Sequence, residues 1–420
     1  MSFIRIHNIK SFFLPLVICV LFLQCNPTTS KAVLRNNFKF IKETKQIRVL
    51  LDESSQFRDL RFDCKVVLRS EQSNVLVLKA GETLQVSRKK NQIEIRTSKS
   101  RYNLESVDIC PSSDIDLLSY KKRTYRGIIR LKPSGSNIRL INIVDVEDYL
   151  KSVIFTEMGP ASKAQDFEAL KAFAVCLRNY TFMKVHESKA DFDLYPDSRD
   201  QVYRGASSEK IFSNSAIDET NGLVLEYNGQ LAKTFYYSSC GGHTENSDNV
   251  FSEKGIDYLN GVEDGNEDEP FCMISPSFNW TERYTQEEIV SLLKKAKYIT
   301  NPQIRIKNIE VQSRFKSGRV NELKITTVNP EGQMSSLFLI GNSIRSIITS
   351  KETKGLLRST LFDIETEYKK GLLSSVQIKG RGNGHGVGFC QWGAIAQSRA
   401  GKKFHEILYS YFPGTKLSEI

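Results

Sequence analysis

Residues 145–185 constrain the fold of this chain most, because they place a carboxylate among apolar side chains. Read with a helical period of about 100° per residue, one face of the segment is apolar, and Glu157 lies in the middle of it. That face consists of Val146, Tyr149, Leu150, Val153, Ile154 and Met158. Gly159 and Pro160 follow directly, which is typical of a helix end. The pattern predicts a buried helix with an acid in its last turn.

An acid in that position should keep a proton near neutral pH. Burial in apolar surroundings raises the pKa of a carboxyl group, and the negative end of the helix dipole raises it further. A carboxyl with a raised pKa is suited to general-acid catalysis. The alternative is a buried Glu157 that is neutralised by an ion pair, with Arg178 as the candidate partner. The segment alone leaves both interpretations open.

The first 25 residues predict export. Residues 1–10 are short and basic, and residues 12–23 form an apolar run of signal-peptide length that is too short to span a bilayer comfortably. Cys25 makes a lipoprotein signal the first candidate, although Gln24 is not the small residue that is usual before the cleaved bond. Lipidation at Cys25, plain secretion and an uncleaved anchor stay open. All three place the protein in the periplasm or cell envelope, with the membrane contacted only through such an anchor.

Size and charge narrow the classes of partner. Without the leader, about 390 of the 420 residues remain, which is enough for two or three domains. The net charge of +11 fits an anionic partner. No basic run is interleaved with aromatic residues as binders of single-stranded nucleic acid require, so nucleic acid is not expected. A cell wall is the more natural polyanion for an exported protein.

The pattern of segments predicts an α+β protein, with a β-rich N-terminal part and then a mixed helix and strand catalytic part with Gly-rich loops. Short alternating runs predict strands at residues 47–51, 65–68, 75–78, 84–86, 93–96, 127–133 and 138–143. Helical patterns follow at residues 165–184, 213–221, 286–297, 394–400 and 404–412, with a hairpin at 223–237 and strands at 304–311 and 321–327. The expected divisions are a signal peptide (1–25), a linker (26–45), a β-rich domain (46–144), a catalytic core (145–274) and a mixed α/β part that completes it (275–420).

Six cysteines follow residue 25, and export permits disulfides. The candidate pairs are Cys64 with Cys110 and Cys240 with Cys272. Cys240, His243 and Cys272 offer three zinc ligands in principle, but their spacing is loose and a disulfide is the simpler account. We therefore expect neither a metal nor a cofactor.

Two Gly-rich loops carry polar side chains. Residues 238–246 read SSCGGHTEN, and residues 380–393 read GRGNGHGVGFCQWG. Glycine lets a ligand approach the backbone closely, and hydroxyl and amide groups beside it suit sugar binding. Either loop alone is of low specificity.

Taken together, the blocks of this chain resemble the SpoIID/LytB family. In order, they are VEDYLKSVIFTEMGP, EALKAFAVCLRNY, DQVYRG, FYYSSCGGHTEN and GRGNGHGVGFCQWGAIAQSRAGKKFHEILYSYFPGTKL, and the match runs from about residue 46 to residue 417. The resemblance implies a peptidoglycan lytic transglycosylase that acts on glycan strands without stem peptides. The family's catalytic acid falls on Glu157, although Gly159 stands before Pro160 and changes the helix end by one residue from the commonest pattern.

The resemblance also implies substrate-binding residues and partners. The candidates that line the groove are Arg178, Gln201, Tyr203, Ser238, Ser239, Thr244, His385 and Gln391. Arg178 is the candidate for binding the lactyl carboxylate of a stripped strand. The implied partners are peptidoglycan glycan strands and a cell-wall amidase.

Two further alternatives concern activity and metal. Some family members are described as amidase enhancers, which keeps a non-catalytic peptidoglycan-binding role open, and His385 with Cys390 would be the dyad of a hydrolase. Family members that bind zinc carry a Cys, a His and a second Cys before the QVY motif. Here those positions are Tyr195, Arg199 and Asp200, so the resemblance implies that this zinc site is absent.

Overall fold

The structure is a computed structural model that describes residues 45–71, 73–251, 255–265, 268–301 and 303–420. The predicted signal peptide, Cys25 and all but the last residue of the predicted linker lie outside the described residues. None of the helices in the described ranges has the length and apolar content that crossing a membrane requires. The described chain is an α+β protein, which confirms the predicted fold class.

The N-terminal domain consists of short antiparallel strands, as the alternating runs predict. They are β1 (Gln46–Ser54), β2 (Gln56–Arg61), β3 (Val66–Ser70), β4 (Ser73–Leu78), β5 (Thr83–Lys89), β6 (Gln92–Arg96), β7 (Arg101–Leu104), β8 (Val107–Pro111), β9 (Leu118–Tyr120), β10 (Arg123–Tyr125), β11 (Ile128–Ser134) and β12 (Asn137–Asp145). One sheet has the order β1-β12-β11-β8-β3-β4, another β2-β5-β6-β7, and β9 pairs with β10. The two larger sheets share one apolar core, to which Leu68, Leu84 and Leu140 contribute.

Beyond this domain the chain alternates helices and strands. In order they are α1 (Val146–Glu157), α2 (Phe167–Glu187), α3 (Ile211–Glu219), β13 (Leu223–Tyr227), β14 (Gln230–Leu231), β15 (Tyr236–Tyr237), β16 (Asn279–Thr285), α4 (Gln286–Lys295), β17 (Arg305–Arg314), β18 (Val320–Val328), β19 (Met334–Ile340), α5 (Ile344–Ile347), β20 (Phe362–Lys369), β21 (Leu372–Arg381), β22 (Phe389–Cys390), α6 (Gln391–Arg399), α7 (Phe404–Tyr411) and β23 (Lys416–Glu419).

Strand β12 runs directly into α1, so the N-terminal domain fixes where this helix begins. The Asp145 side chain caps α1 by accepting a hydrogen bond from the backbone N–H of Glu147 at 2.9 Å. All six residues of the predicted apolar face are buried, and α1 packs against α2. The helix ends at Glu157, as the following Gly159 predicts. Burial of the apolar face therefore orients the helix and, with it, its terminal acid.

The C-terminal part is divided between two cores. Residues 279–381 form the sheets β16-β21-β20 and β17-β18-β19, which pack with α4 around their own apolar core. The chain then returns to the first core, where β22, α6 and α7 pack with α1 and α2. Strand β22 pairs in parallel with β15, which joins Tyr236 to Phe389 and Tyr237 to Cys390. This pairing places the two Gly-rich loops side by side.

The predicted hairpin is present but shorter than expected. Asn228 and Gly229, with φ of 52° and 75°, form the tight turn between β13 and β14. The second strand ends at Leu231, and Tyr236 and Tyr237 pair with β22 instead. The reason is competition for backbone hydrogen bonds, because the far end of the predicted strand is used to fix the C-terminal loop.

Candidate functional site

Glu157 closes α1, and its carboxylate faces the loop that contains residues 200–205. Its Oε1 accepts a hydrogen bond from the backbone N–H of Val202 at 2.7 Å. The side chain is half-buried. Burial raises the pKa of Glu157, the Val202 N–H lowers it, and the net pKa lies above the ordinary value. The group therefore keeps a proton more readily than an exposed glutamic acid does.

Arg178 does not pair with Glu157. Its guanidinium binds both carboxylate oxygens of Glu147, at 2.7 and 2.6 Å, and donates to the carbonyl oxygen of Leu223 at 3.0 Å. The Arg178 side chain is fully buried. The ion pair between Arg178 and Glu157 is therefore not formed. Because its guanidinium is bound to Glu147 and Leu223 and has no exposed surface, Arg178 is also not placed to bind a substrate carboxylate.

Gln201 anchors the loop that contacts Glu157. It is fully buried, and its Oε1 accepts hydrogen bonds from the hydroxyls of Tyr149 and Thr181, each at 3.0 Å. These bonds tie the loop to α1 and α2. The predicted groove residue Gln201 is thus part of the framework that presents the Val202 N–H to the carboxylate.

Tyr203 and Thr244 are also framework residues. The Tyr203 hydroxyl donates to Oδ1 of Asn142 at 2.7 Å, and the ring is buried. The Thr244 hydroxyl accepts from the backbone N–H of Val262 at 2.7 Å, and this side chain is also buried. The prediction that these two residues line a groove does not fit their burial, because their polar atoms face the protein interior.

The two Gly-rich loops meet beside the end of α1. Ser238 is half-buried, and its carbonyl oxygen accepts from the backbone N–H of Trp392 at 3.0 Å. Ser239 is buried, and its hydroxyl has no hydrogen-bond partner in the described structure. Gln391 reaches Glu157 itself, because its Nε2 donates to the backbone carbonyl oxygen of Glu157 at 2.9 Å. Among the sequence-predicted residues of the two loops, Gln391 thus contacts the residue that bears the acid, and it positions that end of α1.

His385 is held as a neutral ring between backbone groups. Its Nδ1 accepts from the N–H of Val387 at 3.1 Å, so Nε2 carries the proton and donates to the carbonyl oxygen of Tyr236 at 3.1 Å. Burial lowers the pKa of His385 to about 3. Because both ring nitrogens are used in this way, His385 cannot activate Cys390. The hydrolase dyad that the sequence allows is therefore wrong.

Two groups at the site carry no signal that the sequence analysis used. The Val202 N–H is a backbone donor, so no side-chain type marks it in the sequence. The sequence analysis selected its neighbours Gln201 and Tyr203 instead. Tyr236 is half-buried, and burial and the charge of Glu157 both raise the pKa of its hydroxyl. The FYYSS block contains this tyrosine, but only the later part of the block suggested ligand binding.

The residues before the QVY motif do not fit a metal. Asp200 accepts from the Tyr195 backbone N–H at 2.8 Å and from the Tyr180 hydroxyl at 3.1 Å, and Lys184 forms an ion pair with it at 2.9 Å. Arg199 pairs with a different aspartate, Asp197. This set contains a guanidinium where a zinc ligand would be needed, so the zinc site of other family members has no equivalent at these positions.

Neither predicted disulfide is formed. Cys64, Cys110, Cys240 and Cys272 are all free. The Sγ atoms of Cys240 and Cys272 lie 3.4 Å apart, well beyond the ~2.05 Å of a disulfide bond. His243 is not the third member of this group, because its Nδ1 contacts the carbonyl oxygen of Thr244 at 2.5 Å.

Two clefts of the described surface lie away from Glu157. One, of about 1010 Å³, is lined by Gln286, Lys294 and Asn329, and the other by residues of β4 and β5. Glu157 lines neither of them.

Comparisons with known proteins match the part of the chain that contains α1. Residues 134–227 match SpoIID, the stage II sporulation protein family, and this match contains Glu157, Gln201 and Tyr203. Residues 272–388 match a domain of unknown function, DUF8618. The chain is 29% identical over 297 residues to an uncharacterized protein of Brachyspira hyodysenteriae, which is 70% of this chain and 72% of that protein.

Two relatives from Bacillus subtilis have descriptive names. The amidase enhancer is 30% identical over 301 residues, 64% of this chain but only 40% of that protein. Stage II sporulation protein D is 26% identical over 292 residues, 66% of this chain and 75% of that protein. These relatives support a function related to the cell wall. Together with the match of residues 134–227, they support the SpoIID/LytB family for this chain.

Proposed function

We propose that this protein is an exported peptidoglycan lytic transglycosylase with Glu157 as its single acid and base. Its substrate is the MurNAc–GlcNAc bond of glycan strands that have lost their stem peptides. The observation that carries the proposal is the state of Glu157: a half-buried carboxyl whose pKa is raised by burial and which bonds to one backbone N–H, at the position of the family's catalytic acid.

The hydrogen bond from Val202 assigns different roles to the two carboxyl oxygens. A backbone N–H can only donate, so Oε1 acts as the acceptor and the acidic proton belongs on Oε2. Oε2 is then the atom that meets the glycosidic oxygen. Once the proton has left, the same N–H stabilises the carboxylate, which prevents its pKa from rising further. One group can therefore serve first as acid and then as base.

The reaction needs no second carboxylate. Glu157 protonates the bridging oxygen while the bond from that oxygen to muramyl C1 breaks through an oxocarbenium-like transition state. The carboxylate then removes the proton from the muramyl C6 hydroxyl, and the C6 oxygen bonds to C1. The products are a 1,6-anhydromuramyl end and a free GlcNAc hydroxyl, so no water is consumed and Glu157 is returned protonated. Because nucleophile and electrophile belong to one sugar, little entropy is lost in bringing them together.

Charge supports the choice of substrate. An amidase that removes a stem peptide leaves a lactyl carboxylate on each muramyl residue, so a stripped strand is polyanionic. A protein with a net charge of +11 attracts such a strand. Since Arg178 is buried, this attraction does not depend on that residue.

Export rests on the sequence of the leader. The basic start and the apolar run before Cys25 support delivery to the periplasm or cell envelope, with lipidation at Cys25, plain secretion and an uncleaved anchor as the three routes. Peptidoglycan is reached by each of them. A cell-wall amidase is the proposed partner, because it would supply the stripped strands.

A second candidate function is favoured by one relative. The amidase enhancer match suggests a peptidoglycan-binding accessory role without cleavage. Against it stands the raised pKa of Glu157, since a protein that only binds gains nothing from a half-buried acid. Digestion of stripped and intact glycan strands, followed by mass spectrometry of the ends, separates the functions. Anhydro ends from stripped strands support the transglycosylase; reducing ends would mean a hydrolase, and uncut strands would mean an accessory protein.

A further inference from the structure

A second cluster of chemically reactive side chains lies under the two Gly-rich loops, and the proposed reaction does not use it. Its members are Cys240, Asp264, Cys272 and Cys390. One ligand atom from each, three sulfurs and a carboxylate oxygen, lies within 4.8 Å of all the others, and all four residues are buried. They come from chain positions up to 150 residues apart, so the fold itself assembles the cluster.

Two of the three sulfur atoms, those of Cys240 and Cys390, accept hydrogen bonds from backbone N–H groups. The backbone N–H of Cys240 donates to Sγ of Cys390 at 3.3 Å, and that of Gly393 donates to the same sulfur at 3.4 Å. The N–H of Gly242 donates to Sγ of Cys240, also at 3.4 Å. Donors of this kind are what orients and stabilises thiolate ligands around a metal.

The carboxylate of Asp264 is also fixed by hydrogen bonds. Its Oδ1 accepts from the Tyr411 hydroxyl at 2.5 Å, and its Oδ2 accepts from the backbone N–H of Cys272 at 3.1 Å. Oδ2 lies 3.1 Å from Sγ of Cys240. A side chain at Gly393 would put a Cβ 2.4 Å from Oδ1, so only glycine leaves room for the carboxylate there. The glycine at position 393 thus leaves the space that the Asp264 carboxylate occupies.

The spacing of the ligand atoms is close to that of a tetrahedral metal site. With Zn–S bonds of about 2.3 Å, two sulfurs of a tetrahedral zinc site lie about 3.8 Å apart. The sulfurs of Cys240 and Cys272 are 3.4 Å apart, and no pair of ligand atoms exceeds 4.8 Å. Changes of about 1 Å or less in the distances between ligand atoms would therefore suffice to bind the ion. Three thiolates and one carboxylate suit zinc rather than a hard cation such as magnesium.

A buried cation lies next to the cluster. Arg319 is almost fully buried, and its guanidinium donates to the carbonyl oxygens of Cys240 and His243, each at 2.7 Å. Its Nε has no hydrogen-bond partner in the described structure. Zinc with three thiolates and a carboxylate carries a net charge of −2, and a buried positive charge beside it offsets part of that. Arg319 thus fits a charged metal cluster better than four neutral side chains.

We propose that Cys240, Asp264, Cys272 and Cys390 bind one Zn²⁺ as a closed, four-ligand structural site. The thiol protons are released when the ion binds, and no oxidant is needed. The ligands differ from the Cys, His and Cys that precede the QVY motif in zinc-binding family members. They also differ from the His243 set considered on the sequence. By holding Cys390, the ion fixes the neighbouring Gln391 on the carbonyl oxygen of Glu157.

Metal analysis of the full-length protein tests the proposal. After dialysis against metal-free buffer, plasma mass spectrometry should find about one zinc per chain, and zinc K-edge X-ray absorption should show three sulfurs at about 2.3 Å and one oxygen at about 2.0 Å. The absorption spectrum of the wild type needs no variant, so it decides the ligand set even if a ligand variant fails to fold.

A matched pair of cysteine variants gives the second readout. Cys390→Ser should lose most of the zinc, whereas Cys176→Ser should keep it, because Cys176 is fully buried in the core outside the cluster. Wild-type protein without zinc and with a Cys240–Cys272 disulfide in its peptide map would overturn the proposal. So would a Cys390→Ser variant that retains as much zinc as Cys176→Ser, or a spectrum without sulfur ligands.

Discussion

The backbone N–H of Val202 lies 2.7 Å from Oε1 of Glu157, and it is the hydrogen bond that fixes the orientation of this carboxyl. Burial raises the pKa of Glu157 and this N–H opposes the rise. The two effects together leave a group that can both release and recover a proton. The buried side chain of Gln201 holds the loop in place from the other side. The central feature of the site is thus the backbone N–H of Val202. The bonds of Gln201 to α1 and α2 hold this donor in position.

Removal of this donor should lower activity. Val202→Pro lacks the N–H, and a hydrogen bond to a charged group contributes about 1.5–3 kcal/mol, so kcat should fall by about 10- to 100-fold. The pKa of Glu157 should rise, which moves the high-pH limb of the pH–rate profile to higher pH. Val202→Ala keeps the N–H and is the control. Equal kcat values for the two variants, with thermal unfolding unchanged, would contradict the role of this hydrogen bond.

Arg178 should matter for stability and not for substrate affinity. Arg178→Met leaves Glu147 without its partner, and breaking such a buried pair costs about 3–5 kcal/mol in unfolding free energy. The double variant Arg178→Met with Glu147→Gln should recover part of this loss. Urea unfolding and KM for stripped strands measure the two effects. A raised KM with unchanged unfolding free energy would restore Arg178 as a substrate ligand.

The raised pKa of Glu157 predicts how its replacement changes stability with pH. The folded protein binds this proton more tightly than the unfolded chain, whose pKa is near the ordinary 4.5. The resulting contribution to stability is complete below 4.5 and is lost as pH rises through the folded pKa. Glu157→Gln cannot titrate, so it should gain stability relative to the wild type as pH increases over this interval.

Urea unfolding of both proteins at about pH 4 and about pH 7.5 tests this sign. The gain of Glu157→Gln should be larger at the higher pH. Glu187→Gln removes an exposed acid at the end of α2 and serves as the control. A Glu157→Gln variant that loses stability as pH rises would mean that the folded structure favours the carboxylate, which is the opposite of what burial predicts.

The elements with local causes could be predicted from the sequence. The apolar face of α1 repeats with the helical period, so the burial of its six residues and the place of Glu157 followed from spacing alone. The turn at Asn228 and Gly229 was also local. The strands of the N-terminal domain alternate clearly enough to be found one by one, although their order in the sheets was not accessible.

The partners that lie far apart in the chain could not be predicted in the same way. The sequence suggested Glu157 as the partner of Arg178, and only the packing of α2 against α1 decides for Glu147 instead. Cys390 joins Cys240 because β22 pairs in parallel with β15, a contact between segments 150 residues apart. Periodicity carries no information on such pairing. The sequence suggested Gln201 and Tyr203 as residues of a sugar groove, but both are buried and support the loop that contains them. Their burial depends on packing between distant segments, which periodicity does not show.

The most direct test of the account compares the strand ends that wild-type protein, Glu157→Gln and Glu187→Gln produce from peptide-stripped glycan. Mass spectrometry should show 1,6-anhydromuramyl ends with the wild type and Glu187→Gln, and none with Glu157→Gln, because its amide has the same shape but cannot transfer the proton. Binding of stripped strands should persist in Glu157→Gln. Anhydro ends from Glu157→Gln at the wild-type rate, or no cleavage by the wild type at all, would contradict the assignment of Glu157 as the acid and base.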